Sequence, residues 1–145
     1  LTQPEVNHMT TEKELSPKWQ KRFDFFNKYG VRSNSPEYKA AYKALPFMDK
    51  LTIQQNFIAF FFGAIYFFVL GLWRKNLVLI GIIIISGVIM YFVEATMQLP
   101  EVQIRAIDKV FQFGFAALYS LVANKAYYLH KVKGSRSWNP FEGGL

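Results

Sequence analysis

Phe57–Trp73 reads FIAFFFGAIYFFVLGLW and Leu77–Val93 reads LVLIGIIIISGVIMYFV, two runs of 17 apolar or small residues separated only by Arg74-Lys75-Asn76. Apart from Tyr66 and Tyr91, the basic pair Arg74 and Lys75 holds every ionisable side chain between Phe57 and Val93. At the rise of an α-helix each run reaches roughly 25 Å, within the range accepted for a membrane span. A three-residue link forces the two into a tight antiparallel transmembrane hairpin, with Trp73 beside the basic pair as an interfacial anchor. A single buried soluble helix is excluded by the length and by the internal charges.

Outward from this hairpin, Glu94–Lys109 reads as a polar connection containing Pro100, and Val110–Ala123 (VFQFGFAALYSLVA) is apolar again for 14 residues. Ala126-Tyr127-Tyr128-Leu129 extends that third hydrophobic helix to about residue 130, with Lys125 snorkelling. The expected fold is an all-α integral membrane protein with two to three hydrophobic helices, at about 57–73, 77–93 and 110–130. Lys/Arg number nine before the first span, two in the hairpin loop, two in the 94–109 connection and four from Lys125 onward. Three spans with a cytoplasmic N-terminus leave eleven of these inside and six outside; two spans leave fifteen inside and two outside. Charge favours two crossings and apolar character three, so the side of the C-terminus stays open while the N-terminus is placed inside.

Toward the N-terminus, Ser16-Pro17 and Ser35-Pro36 each combine a capping hydroxyl with proline at the first helical position, and Gly30 closes the first helix. Trp19, Phe23 and Phe26 line one face of that helix; Tyr38 and Tyr42 line the next, with Arg22 among the basic residues around them. Ser16–Lys50 holds eight Lys/Arg against three acids, a net charge of +5. Residues 16–50 are therefore read as amphipathic helices on the cytoplasmic surface, ahead of a membrane domain over 51–133. Trp19, Arg22, Phe23, Phe26, Tyr38, Tyr42, Trp73, Arg74 and Lys75 are the expected contacts with anionic phospholipid or a partner. The lead 1–15 is expected to be flexible and has no signal-peptide apolar core, and the tail 134–145 is expected to be irregular, bringing Trp138 and Phe141 to the membrane or a partner. Small residues four apart, Ala59 with Gly63 and Ala116 with Ser120, suit close helix packing.

The string Trp19-Gln-Lys-Arg-Phe23 with Phe25-Phe26 and Tyr29-Gly30, the span end Gly71-Leu-Trp-Arg-Lys75 and the closing Asn124-Lys-Ala-Tyr-Tyr128-Leu-His130 resemble a bacterial inner-membrane family, domain-of-unknown-function family 2628. The resemblance covers roughly Trp19 to Lys133. It implies a helical inner-membrane protein and brings no catalytic residues or ligand with it.

Chemistry is sparse. The chain has no cysteine and two histidines, His8 and His130, so thiolate and imidazole clusters are excluded. Glu94 reads as an interfacial carboxylate, and Arg105, Asp108 and Lys109 as a solvated helix end. No triad, paired carboxylates or phosphate loop is spaced for catalysis, and no cofactor or metal is expected. A formal charge of +7 on a membrane-tethered chain points to anionic lipid rather than nucleic acid. The expected role is non-enzymatic, an accessory, assembly or regulatory subunit on a larger membrane protein complex. The alternatives are a membrane immunity protein protecting against a toxin and a homo-oligomeric channel or small transporter.

Overall fold

The computed structural model describes residues 15–145; most of the lead expected to be flexible, together with His8, lies outside the described residues. The chain is all-helical, with six helices among the described residues: α1 (Pro17–Tyr29), α2 (Pro36–Ala44), α3 (Phe47–Gln54), α4 (Phe57–Val69), α5 (Trp73–Met97) and α6 (Glu101–Val132). Three stretches, Phe47–Val69, Trp73–Met97 and Glu101–Val132, are long and apolar enough to cross a membrane. Two compact units divide between Gln54 and Gln55.

In the N-terminal unit local chemistry sets the helix limits. Ser16 Oγ accepts from the Trp19 amide at 3.3 Å and Ser35 Oγ from the Tyr38 amide at 3.2 Å, and prolines occupy the positions that follow. Gly30, at φ 77°, ends α1 by donating its amide to the Phe26 carbonyl. Arg22 Nε donates to the Thr52 carbonyl at 2.6 Å, and Lys21 pairs with Asp49 at 2.6 Å, which ties α1 to α3.

The second unit is built on α4, α5 and α6. The turn falls at Leu70–Leu72, inside the first apolar run, and Arg74-Lys75-Asn76, expected to be the link, lie in the first turn of α5; α4, moreover, is not one straight rod. Gly63, at φ 29° and ψ −105°, breaks it into two arms. The contacts along α6 trace the path. Asn56 at the head of α4 bonds Asn124 and Ser120, Phe60 packs edge-on against Phe113, and Gly63 and Phe67 both meet Tyr119. Gly71 then lies against His130. From 113 to 130 an α-helix rises roughly 25 Å. The first arm of α4 therefore runs down α6 and the second runs back up, so that both ends of α4 face the C-terminal end of α6. A core of Ala59, Phe67, Leu72, Leu79, Tyr119, Val122, Ala123 and Ala126 fills the space between them.

The connection read as polar is mostly helical. α5 continues to Met97, Gln98 closes it in the left-handed conformation at φ 50°, and α6 opens after Pro100. Glu101 and Arg105 pair one turn apart on α6 and support that early start.

Candidate functional site

The second unit encloses two sets of bonded polar side chains around α4, one at Asn56 and one at Asn76. Asn56 Oδ1 caps α4 at the Ala59 amide, 2.9 Å, while its Nδ2 donates to Asn124 Oδ1 at 3.0 Å. The Asn56 amide donates to Ser120 Oγ at 2.9 Å, and Asn124 Nδ2 donates to the Gln55 carbonyl at 2.8 Å. Deeper in, Asn76 Nδ2 donates to the carbonyl of Ala64, one residue past the break, at 2.8 Å, and Asn76 Oδ1 accepts from the Tyr119 hydroxyl at 2.8 Å. Non-helical backbone in hydrocarbon is tolerated only where protein encloses it. Here the Tyr119 ring lies 3.4 Å from where a Gly63 side chain would begin, and Asn76 reaches the backbone just beyond.

Of the expected packing residues, Ala59 is fully enclosed, Gly63 forms the break, Ser120 is bonded to α4 and Ala116 is half-buried beside them on α6. Asn56, Asn76, Asn124 and Tyr119 were missed by sequence reasoning. The available signal was three asparagines at the edges of apolar runs, where unpaired amides are costly.

A second cluster surrounds the α4–α5 turn. Lys75 is 2% exposed, donates to the Ser137 carbonyl at 3.1 Å and pairs with Glu142 at 3.5 Å. The irregular tail thus folds back over the turn rather than extending away. Trp138 packs edge-on against Trp73 at 5.3 Å, Arg74 lies over the Trp73 ring at 4.6 Å, and Phe141 packs against the core. Trp73, Trp138 and Arg74 are left on the outside of this collar, whereas Lys75 is committed internally.

In the N-terminal unit the expected contact residues separate. Arg22, Phe23, Phe26 and Tyr38 are buried, so these side chains do not present themselves to a membrane surface; Trp19 and Tyr42 are half-buried. Arg22 lies over the Trp19 ring at 4.6 Å. Burial pushes the Tyr38 phenol up to about 12, with the neighbouring Tyr42 adding to the effect, and burial also raises Tyr42. Phe47 and Met48, each 71% exposed at the start of α3, are the outward apolar pair of this unit, and amphipathic periodicity did not single them out. Among the described residues, no three His, Asp or Glu side chains converge as metal ligands would.

A known family, a protein of unknown function (DUF2628), matches residues 8–133 and takes in these enclosed polar groups. The chain belongs to that family. It is 42% identical over 128 residues to the uncharacterized protein YigF of Escherichia coli (strain K12), covering 86% of this chain and 91% of that one. The uncharacterized protein YigF of Salmonella typhimurium is 40% identical with the same coverage. No solved structure matches. The family match takes in the asparagine network and the turn but stops before Gly134, so the tail that covers Lys75 lies beyond it.

Proposed function

We propose that this chain is a non-enzymatic inner-membrane protein of bacteria that docks onto a larger membrane protein complex as an accessory, assembly or regulatory subunit. The observation that carries the reading is α5. Its buried residues, Lys75, Asn76 and Leu79, all fall in the first two turns, while Ile84, Ile85, Val88, Ile89 and Phe92 stand exposed along the rest. A helix with so little packing inside its own chain offers an apolar rod to a partner.

The fold-back of α4 supports an orientation. If both ends of α4 leave on one membrane face, the nine Lys/Arg before it, the two at the start of α5 and the four from Lys125 onward share that face, and Arg105 and Lys109 alone lie at the other. The positive-inside rule then puts the N-terminal unit and the tail in the cytoplasm. The Trp73–Arg74–Trp138 collar is the group of the second unit that meets anionic phospholipid at that face.

The test is purification from native membranes with crosslinking and mass spectrometry. A stoichiometric membrane complex is expected, and its recovery falls when Ile85→Trp and Ile89→Trp thicken the outward face without adding polarity. Recovery of the chain alone, or equal recovery of the complex with the thickened variant, overturns the reading.

A further inference from the structure

α5 and α6 are consecutive and joined only by Gln98–Pro100, and they meet through side chains near the start of α5, at Asn76 and Leu79, while their backbones stay apart. Between them lies a cleft of about 570 Å³. Its walls are apolar, with Ile83 and Met90 on one side and Phe111 and Phe115 on the other. Gly87 opens it further, since a side chain there would meet nothing within 4 Å. Toward the linker the lining changes character to Glu94, Asp108 and Gln112.

The polar end has a definite charge. Two carboxylates face the cleft, and no basic side chain lines it. Arg105, the nearest arginine in sequence, is paired with Glu101. Glu94 Oε1 is buried and has no hydrogen-bond partner. A buried carboxylate oxygen without a donor is costly. Asp108 and Gln112 are exposed and Lys109, next to Asp108, does not line the cleft, so the unmet acceptor is Glu94 Oε1, which a ligand bringing positive charge and N–H donors satisfies.

Position specifies the rest. Glu94 lies one turn from the end of α5, and Asp108 lies roughly 10 Å of helix rise into α6, so the acidic end falls near headgroup level and the apolar walls run on toward the bilayer centre. A primary ammonium carries three donors, matching the acceptors of Glu94, Asp108 and Gln112, whereas a quaternary ammonium carries none.

We propose that the α5–α6 cleft binds a phospholipid with a primary-amine headgroup, a phosphatidylethanolamine, its ammonium at Glu94 and Asp108 and one acyl chain between Met90 and Phe115. The site works in the isolated chain and needs no protein partner, so its failure leaves the docking proposal standing, and the reverse holds too.

The test uses the full chain in detergent, offered an equimolar mixture of phosphatidylethanolamine, phosphatidylcholine and phosphatidylglycerol with identical acyl chains, and read by native mass spectrometry. Phosphatidylethanolamine adducts are expected to exceed each of the others by about tenfold, the scale of one charge-assisted hydrogen bond. Equal retention of the three lipids overturns the proposal without any variant being made. Glu94→Gln combined with Asp108→Asn is expected to lower the ethanolamine lipid to the level of the choline lipid, and Gly87→Leu, which fills the apolar part, to reduce all adducts. Preference unchanged in the acid double variant, or adducts unchanged in Gly87→Leu, counts against it. A photocrosslinker at Met90 in native membranes is expected to capture lipid; capture of a protein helix assigns the cleft to a protein and overturns the lipid site.

Discussion

α4 and α5 are consecutive apolar helices with opposite fates. α4 is broken, folded back and held by asparagines; α5 is continuous, 25 residues long and almost free of contacts beyond its second turn. Both contain glycine, so glycine alone does not decide. Gly63 of α4 faces the Tyr119 ring and takes a positive φ, while Gly81 of α5 has open space around it and ordinary helical geometry. What separates the two helices is the presence of side chains able to take over backbone hydrogen bonds. Asn56 caps the first arm and Asn76 reaches the second, and along Gly81–Val93 no Asn or Gln is placed to do the same.

The sharpest way to break this comparison is to ask which membrane face each end of α4 occupies. The native chain lacks cysteine, so single cysteines at Asn34, Asn139 and Gln98 are clean labelling positions. With α4 folded back, Asn34 and Asn139 react with a membrane-impermeant maleimide from one side and Gln98 from the other. Asn34 and Asn139 on opposite faces would make α4 a full crossing.

Next in size is the break itself. Gly63→Val forces a branched side chain into a left-handed backbone against the Tyr119 ring, and is expected to lower stability in detergent by about 3 kcal/mol. Gly81→Ala on α5 is expected to change it by less than about 0.5 kcal/mol. Equal melting temperatures for the two variants would mean that the break carries no structural weight. Asn76→Leu tests the brace directly, since it strands the Tyr119 hydroxyl and the Ala64 carbonyl, and a loss of about 2 kcal/mol is expected in the same thermal assay.

The smallest effect contrasts the membrane unit with the N-terminal one. The Tyr38 phenol titrates at about 12 in the fold against its ordinary 10.0, so the folded unit holds the proton more tightly than the unfolded chain. Its contribution to stability is complete below pH 10 and is lost as pH rises toward 12. Urea titrations across that window are expected to show a falling midpoint in the native chain and a flatter one in Tyr38→Phe.

Much of this was legible from residues. Ser16, Ser35 and Gly30 mark their helix ends because capping is local chemistry, and the three apolar segments announce themselves by composition. The fold-back of α4 was not legible, because a hydropathy window sums side chains and is blind to a single backbone angle at Gly63. Asn76 reads as a loop residue until the second arm of α4 returns to meet it. Phe23 and Phe26 form an apolar stripe whichever surface covers it, so periodicity correctly found the stripe but not that its residues are enclosed. Lys75 reads as a contact for anionic phospholipid or a partner because its own partners, Ser137 and Glu142, come far later in the chain. Glu94 and Asp108 look like ordinary interfacial acids until two splayed helices place them at one end of a cleft.

The clasp on Lys75 also imposes an order of events during synthesis. The carbonyl that receives its ammonium belongs to Ser137, 62 positions downstream, and the carboxylate comes later still. While α5 enters the bilayer those groups have not yet been made, so the lysine must wait in water or among headgroups. The α4–α5 turn can settle only after α6 is in place and the tail has emerged. The cover on this cation is therefore completed only by residues made after all three apolar helices.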